Sequence, residues 1–378
     1  MDRTRLAYLF ASVGVLLTTC LAHTSEIVHE RIGSEYQTIR IVRIVGGLEH
    51  PWSMAFLPDG GILVTERPGR LNLIRDNDRT RLSGVPQVAA TGQGGLLDVA
   101  VHPNYEENGW VYLTYSKGDR TATATTLVRA RLQEDRLSDV EEIFTQDRRS
   151  SPGRHYGSRL AFTPDDKLLM TIGDRGAEPD RAQDLMDHAG SLLRLNDDGS
   201  VPQDNPFVDR QDAHPEIFAY GLRNIQALTV HPETGEVWAS DHGPRGGDKL
   251  IVIEAGENHG WPLVSRGLDY GTQEQWGQGR SQPGMVEPIY EFLPTLAPSG
   301  LTFVTGDRYP RWKGDLLIGG LRAEQVRRVV LQNRTVVHAE ELIRGRLGRI
   351  RDVQMGPDDY IYVINDEPDG GLYRIEPR

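Results

Sequence analysis

The sequence is poor in cysteine: among its 378 residues the one thiol is Cys20, close to the N-terminus. A chain with a single cysteine cannot form an internal disulfide, so the mature fold must be stabilised by packing alone. The chain also lacks the cysteine set of an iron–sulfur cluster and the CxxCH motif that attaches a c-type haem. Both of these built-in electron carriers are therefore excluded.

Basic residues are also in deficit, with 42 Lys and Arg against 54 Asp and Glu, which gives a formal net charge of −12. Binding to nucleic acid phosphates needs a basic surface, so this balance argues against a nucleic acid partner. Charges of both signs are interspersed along the chain, which is typical of a protein surface that keeps the molecule in solution.

Long apolar runs are confined to the N-terminus, where two arginines precede an almost unbroken apolar run over residues 6–17. Small and polar residues follow as far as Ala22, which is the order of a secretory signal peptide over residues 1–22. The run is too short for a membrane span, so no transmembrane segment is expected in the mature chain. Cleavage near Ala22 and lipid attachment at Cys20 both stay open. Either outcome predicts a periplasmic or secreted protein.

Helix signals are scarce, and a strand–turn–strand pattern recurs through the chain instead. Each copy has an apolar run, a turn that usually carries Pro with Asp, Asn or Gly, and a second run rich in β-branched and aromatic residues. The copies span residues 54–65, 97–115, 160–172, 228–240, 301–318 and 353–363.

Six copies of a small antiparallel sheet predict an all-β fold, a six-bladed β-propeller with about four strands per blade. We assign it to residues 40–378, after a lead-in over residues 23–39. A β-sandwich is the alternative, and six similar copies argue against it. Loops at one end of every blade of a propeller converge on one mouth, so residues far apart in sequence can line one pocket.

Four segments between the strands carry residues suited to chemistry. His155 lies between glycines before the third copy, where an imidazole could take a proton near neutral pH. Arg223 and Asn224 together suit a planar anionic ligand. The turn over residues 241–248 is rich in Gly and Pro, which leaves carbonyl oxygens available to a hard cation. Each of these also has a purely structural interpretation, as a loop histidine, a surface ion pair or a tight hairpin.

The fourth segment contains Arg349 and Arg351, which alternate along a predicted strand and therefore point to the same face. Two guanidinium groups on one face are costly unless an anion lies between them. A ligand with several carboxylates would satisfy both.

These segments resemble the soluble glucose/sorbosone dehydrogenase family, and most closely its compact aldose sugar dehydrogenases. The resemblance extends from about residue 40 to the C-terminus, in order and on every predicted blade. Further matching stretches are residues 64–70, 92–98, 204–207, 258–262 and 297–301.

The resemblance implies oxidation of aldose sugars to lactones with pyrroloquinoline quinone (PQQ) and Ca²⁺, followed by electron transfer to an external acceptor. It implies that His155 abstracts the proton and that Arg223 lies beside the reacting quinone carbonyl. The other residues that it implies at the site are Gln93 and Asn224, the PQQ ligands Thr295, Arg322, Arg349 and Arg351, and the calcium-binding carbonyls of Gly243 and Pro244.

Several positions depart from the family pattern. Arg322 stands where the family has a PQQ-binding lysine, which keeps the charge and changes the geometry. Lys249 and His259 replace ligands of a second, structural calcium, so we expect that site to be lost. Leu293 replaces an aromatic residue of the sugar pocket.

Two other functions are compatible with a propeller fold. A non-catalytic propeller could use its mouth to bind a protein or a glycan, but the joint presence of His155, Arg223, Asn224, Arg349 and Arg351 argues against it. A calcium-dependent lactonase would need a ring of carboxylate ligands, and the sequence offers none that converges on the mouth.

We expect the exported protein to begin near His23, because the charged start, apolar run and small residues before that position form a cleavable leader. Intact-mass measurement on the exported protein checks this. A chain that keeps Met1 and stays in the cytoplasm would contradict it, and acyl chains on Cys20 would identify the lipid-anchored alternative.

Overall fold

A computed structural model describes residues 25–151 and 153–378, which are nearly all β. The predicted signal peptide, with Cys20, lies outside the described residues. The first ten strands are β1 (Glu26–Gly33), β2 (Thr38–Leu48), β3 (Pro51–Phe56), β4 (Ile62–Glu66), β5 (Arg70–Arg75), β6 (Asp78–Arg81), β7 (Leu96–Val101), β8 (Trp110–Gly118), β9 (Thr123–Gln133) and β10 (Arg136–Thr145).

The strands continue through the second half of the fold. The next eight are β11 (Leu160–Phe162), β12 (Leu168–Ile172), β13 (Ser191–Leu195), β14 (Ile217–Ala219), β15 (Ile225–Val230), β16 (Val237–Asp241), β17 (Lys249–Ile253) and β18 (Tyr290–Glu291). The last seven are β19 (Pro298–Phe303), β20 (Leu316–Gly320), β21 (Gln325–Gln332), β22 (Thr335–Leu342), β23 (Ile350–Met355), β24 (Ile361–Asn365) and β25 (Gly370–Pro377). Helix is confined to α1 (Tyr105–Asn108) and a 3-10 turn (Pro179–Gln183) within the described ranges.

The strands form six antiparallel sheets, which are the blades of a six-bladed β-propeller and confirm the predicted fold. Blades one to five run in order through β3–β6, β7–β10, β11–β14, β15–β18 and β19–β22. In each blade the first two strands coincide with one copy of the sequence repeat. The turn chemistry is as expected: Asp59 Oδ1 accepts the amide of Gly61 at 2.9 Å, and Gly60 adopts φ +86°, where glycine is favoured.

The sixth blade is built from both ends of the chain. Strands β23, β24 and β25 are joined by β2, which pairs antiparallel with β25 from Ile39↔Pro377 to Leu48↔Gly370. β1, which falls in the predicted lead-in over residues 23–39, adds a fifth strand at the outer edge. Pairing of the first strands with the last closes the ring.

Apolar side chains pack between neighbouring blades. One cluster joins blades one and two through Leu63, Leu73, Val111 and Leu113, all at most 4% exposed. Similar clusters lie at the other junctions. The second strand of each blade is buried along most of its length, and its end leads into the loops around the central mouth.

Across residues 25–151 and 153–378, no helix combines the length and the apolar character needed to cross a membrane.

We expect Ile41→Ala in β2 to cost about 2–5 kcal/mol of unfolding free energy, because Ile41 is 0% exposed in the sheet that closes the ring. Ile27→Ala, in β1 of the same sheet at 46% exposure, is the matched control and should change the free energy by less than about 0.5 kcal/mol. Urea unfolding midpoints measure both. Equal losses of unfolding free energy in the two variants would show that closure of the ring does not depend on the packing of β2.

Candidate active site

A cavity of about 680 Å³ opens at the centre of the ring. Nine of the ten predicted site residues line it: Gln93, His155, Arg223, Asn224, Gly243, Thr295, Arg322, Arg349 and Arg351. The tenth, Pro244, lies in the same loop but is not a lining residue within the described chain. The ring thus brings together side chains that are up to 258 residues apart in sequence, between positions 93 and 351.

His155 is held in a constrained loop at the cavity wall. Its backbone has φ +55°, and its amide donates to Oε1 of Gln93 at 2.8 Å. A Cβ on Gly173 would lie 2.2 Å from the His155 carbonyl oxygen, so only glycine fits opposite it. The imidazole is 8% exposed. Its position is therefore fixed by packing before any ligand arrives.

Asp174, which the sequence did not reveal, orients the imidazole. Its Oδ1 lies 2.6 Å from Nδ1 of His155, and its Oδ2 accepts from the indole of Trp261 at 2.7 Å. A carboxylate can only accept, so Nδ1 carries the proton and Nε2 keeps its lone pair. Nε2 makes no hydrogen bond to the described residues. This is the arrangement of a general base held in one tautomer.

The pKa of His155 is lowered from its ordinary value. Burial is the largest cause, the hydrogen bond that His155 donates to Asp174 opposes the shift, and the charge of Arg223 adds to it. The neutral ring, which is the form able to accept a proton, is therefore favoured at neutral pH.

Arg223 and Asn224 enter the cavity from the start of blade four. The carboxylate of Asp241, at the end of β16, accepts both of their backbone amides, and the contact to Asn224 is 2.7 Å. The Asn224 side chain reaches across to the third blade, where its Oδ1 accepts the amide of Gly157 at 3.0 Å. The buried Nε of Arg223 has no hydrogen-bond partner in the part of the chain that the structure describes.

Arg349 and Arg351 lie together at the start of the last blade, as the alternation predicted. Asp366 pairs with the buried Arg351 and lies 3.8 Å from the half-exposed Arg349. Burial alone would raise the pKa of Asp366, but Arg351 and Arg67 hold it well below its usual range. Gln226 accepts from Arg351 at 2.7 Å. The buried Nε of Arg351 has no partner among the described residues.

The lining is strongly cationic. It carries six arginines and, among the described residues, one carboxylate, that of Asp248. Arg322 and Arg245 form no ion pair with any described side chain, so their charges are available to a ligand. The electrostatics of the cavity therefore favour an anion with several negative groups.

The loop around Gly243 is shaped by Asp248. Its carboxylate accepts the amide of Gly243 at 3.1 Å, the hydroxyl of Thr295 and the amides of Leu296 and Ala297. The Gly243 carbonyl accepts no hydrogen bond within residues 153–378, whereas the Pro244 carbonyl accepts the amide of Gly247 at 3.0 Å.

Lys249 and His259 lie together behind the cavity, beside a small void of about 20 Å³. The Lys249 ammonium is 3.5 Å from Oδ2 of Asp241. Burial, reinforced by Lys249, lowers the pKa of His259 to about 3, so its ring is neutral. Lys249, which lines this void, therefore places its ammonium group beside the Asp241 carboxylate. The expected loss of the second calcium site stays a prediction.

The rim of the cavity is partly apolar. Leu293, predicted at the sugar pocket, lines the cavity with 67% of its surface exposed, and Tyr270 is 65% exposed beside it.

The partners that sequence reasoning missed share a position in the repeat. Asp174, Asp241 and Asp366 all stand at or just after the end of the second strand of their blades. Comparison of the repeat copies at this position could have found them, because the second strands end at the same mouth.

The chain matches the family described as Glucose / Sorbosone dehydrogenase over residues 48–374. It is 37% identical over 348 residues to aldose sugar dehydrogenase YliI of Escherichia coli, covering 90% of this chain and 94% of that protein. It is 26% identical over 409 residues to quinoprotein glucose dehydrogenase B of Acinetobacter calcoaceticus, covering 85% and 84% of the two chains.

Solved structures of two aldose sugar dehydrogenases superpose on this chain. The apo-form crystal structure of the soluble aldose sugar dehydrogenase (Asd) from Escherichia coli superposes with a TM-score of 0.87 at 36% identity, covering 90% of this chain and 100% of that one. The PQQ-bound aldose sugar dehydrogenase (Adh) from Streptomyces coelicolor superposes with a TM-score of 0.74 at 24% identity, covering 93% and 98%, a likeness that concerns the fold alone.

We expect Asp174→Asn to lower turnover of aldoses by roughly 10²–10⁴-fold, because an amide at this position can donate to Nδ1 and move the proton to Nε2. Nitrogen chemical shifts of the His155 ring report the tautomer directly. Asp180→Asn, at an exposed acid of the neighbouring 3-10 turn, is the control and should leave turnover unchanged. Normal turnover in Asp174→Asn would remove this carboxylate from the mechanism.

Proposed function

The chain belongs to the glucose/sorbosone dehydrogenase family, and within that family we propose that it oxidises aldose sugars at the anomeric carbon with PQQ and Ca²⁺. The family match and the two named relatives confirm the family and the oxidoreductase class that the sequence predicted. The observation that carries the proposal is one cavity that contains a carboxylate-oriented imidazole together with two arginines, Arg245 and Arg322, that have no counter-charge among the described residues.

The cavity fits a planar tricarboxylate such as PQQ. The buried Nε donors of Arg223 and Arg351 have no partner among the described residues, and buried donors in native proteins are nearly always satisfied. Arg322 presents a further unpaired guanidinium. A ligand with several carboxylates would satisfy all three, with charge-assisted hydrogen bonds.

Residues of several blades would hold PQQ. Arg349 and Arg351 would bind its carboxylates, and Arg322 would add a third cation. Thr295 and Asn224 would contact it from the loops that lead into blades five and four. When bound, PQQ supplies the acceptor for the two electrons taken from the sugar.

His155 would act on the sugar itself. Its Nε2 has a lone pair and faces the cavity, so it can take the proton of the anomeric hydroxyl. Gln93 accepts from the His155 amide through Oε1, which leaves its amide nitrogen to donate to a sugar hydroxyl. Arg223, permanently charged and poorly solvated, would stabilise negative charge that develops during the reaction.

We place Ca²⁺ at the loop of Gly243 and Pro244. The Gly243 carbonyl is unpartnered within the described loop and lines the cavity, so it is the better supported ligand. The Pro244 carbonyl already accepts one hydrogen bond and would use its second lone pair. When bound, calcium would supply positive charge at this loop of the cavity wall.

The substrate and the electron acceptor follow from the same site. The product of oxidation at the anomeric carbon is a lactone, and electrons must leave to an external acceptor because the single cysteine rules out a c-type haem or an iron–sulfur relay in this chain. Leu293 and Tyr270 would contact the sugar at the rim.

We place the mature protein in the periplasm or outside the cell, with lipid attachment at Cys20 as the alternative.

We expect Arg349→Ala to weaken PQQ binding by about 10- to 100-fold, the equivalent of about 1.5–3 kcal/mol for one charge-assisted contact. Arg349 is the clean test, because its side chain is 44% exposed and its loss leaves Asp366 paired with Arg351. Arg344→Ala, at an exposed arginine that does not line the described cavity, is the control. Titration of apo-protein with PQQ measures the affinities, and unchanged binding in Arg349→Ala would show that this arginine faces another partner.

We expect His155→Ala to fold and load PQQ but to turn over roughly 10²–10⁴-fold more slowly, the usual range for losing positioned proton transfer. Turnover is measured per PQQ-loaded site, with loading read from cofactor absorbance. In the wild type, turnover should rise with pH as the imidazole becomes neutral. Since its pKa is lowered, that rise should lie below about pH 6.5. A loaded His155→Ala protein with wild-type turnover would exclude this residue as the base.

A further inference from the structure

A second cluster of ligand-type side chains lies at the junction of blades two and three. Asp147 follows β10, the outermost strand of blade two, while His188 precedes β13 and His214 precedes β14 in blade three. Glu216 stands just beyond His214. None of these four described residues lines the central cavity, so the cluster is separate from the proposed PQQ site.

The three side chains converge on one point. Oδ1 of Asp147 lies 2.7 Å from Nδ1 of His188, and Oδ2 lies 3.0 Å from Nε2 of His214. The two imidazoles stack, with ring centroids 4.0 Å apart and planes inclined by 19°. One carboxylate thus faces one nitrogen of each of two histidines, and these ligand atoms all lie within 4.8 Å of one another.

Glu216 decides which nitrogen of His188 is available. Its Oε1 lies 2.7 Å from Nε2, and a carboxylate can only accept, so Nε2 carries a proton. In a neutral ring Nδ1 then has a lone pair directed at Asp147. The lone pairs of His188 Nδ1 and Asp147 Oδ1 would repel each other at 2.7 Å unless a cation, either a proton or a metal ion, lay between them. Without a metal, a proton takes that place.

The surroundings hold the cluster in place. The buried Arg181 binds Asp187 through two nitrogens, at 2.6 and 2.9 Å, and the carbonyl of Arg148 at 3.1 Å. It thereby fixes the residue after Asp147 and the residue before His188. The Arg148 side chain is directed to Glu178 and Asp187 rather than to Asp147. The Met186 carbonyl, 3.0 Å from Nε2 of His214, is a further oxygen beside the site.

We propose that Asp147, His188 and His214 form a binding site for a divalent transition metal ion, represented by Zn²⁺, that ties blade two to blade three. Two imidazoles and a carboxylate suit Zn²⁺, Cu²⁺ or Ni²⁺ rather than Ca²⁺, which prefers oxygen ligands. In a tetrahedral zinc site the ligand atoms lie roughly 3.3 Å apart, given bonds of about 2.0–2.1 Å. Small side-chain rotations would open the two carboxylate contacts to that spacing.

The Glu216 contact strengthens this assignment. A histidine that binds a metal usually donates its other ring N–H to a carboxylate, which fixes the tautomer and the ring orientation. Glu216 is placed to accept that hydrogen bond from His188. Water would complete the coordination on the exposed side of Asp147.

Calorimetric titration of untagged, chelator-treated protein with Zn²⁺ alone tests the site. We expect one tight site per chain, which His214→Ala abolishes and Glu216→Gln weakens by about 10- to 100-fold. His338→Ala is the matched control, since His338 also contacts a carboxylate, Glu35, but lies in blade five. Zn²⁺ should raise the melting temperature of the wild type and the control, and not that of His214→Ala.

Equal Zn²⁺ affinity in wild type and His214→Ala, or no tight binding in the wild type, would overturn the proposal and leave a proton-bridged structural cluster. If His214→Ala fails to fold, crystals of the wild type grown with Zn²⁺ decide the matter by anomalous scattering at the zinc edge. A peak between Asp147, His188 and His214 supports the site, and a wild-type crystal without one contradicts it.

Discussion

The geometry of the molecule depends on Arg159, a buried arginine that contacts residues of three other blades. Its guanidinium lies 3.2 Å from Asp98 of blade two and 3.2 Å from Asp352 of blade six, and it donates to the carbonyls of Gln226 in blade four and Arg351 in blade six. One side chain of blade three therefore links four blades at the axis. Burial raises the pKa of Asp352 to about 6 even with Arg159 beside it, so loss of that arginine would leave two buried carboxylates without their main counter-charge.

Arg159 also influences the site, because β23 carries both Asp352, which pairs with Arg159, and Arg351, which lines the cavity. Arg351 is the neighbour of Asp352 in β23, and the backbone that Arg159 holds is the backbone that aims the Arg351 guanidinium into the cavity. Carboxylates behind the lining, among them Asp174 and Asp366, then orient individual side chains. The cavity is thus a set of cationic and basic groups positioned in advance by anions that do not themselves face it. Such preorganisation is what a site needs if it is to bind an anionic cofactor and move a proton without rearranging.

Much of the fold and several segments of the cavity could be predicted from the sequence. The recurring turn chemistry located the first two strands of every blade, and the segments around His155, Arg223 and Arg349 proved to lie in one cavity. Two pairings could not be predicted: the contact of Asp174 with His155 between two loops of blade three, and the pairing of β2 with β25 that closes the last sheet. β2 lacks the repeat motif, and side-chain partners across blade junctions depend on how the ring closes rather than on any local pattern. The same holds for the cluster of Asp147 and His188, whose members are brought together from different blades.

The central claim is that this cavity holds PQQ for oxidation of sugars. Reconstitution of purified apo-protein with PQQ and Ca²⁺, followed by dye-linked turnover over a panel of aldoses, tests it most directly. We expect one PQQ bound per chain and oxidation of aldoses to lactones that requires both PQQ and Ca²⁺. A protein that takes up PQQ yet oxidises no aldose, or that fails to bind PQQ at all, would contradict it.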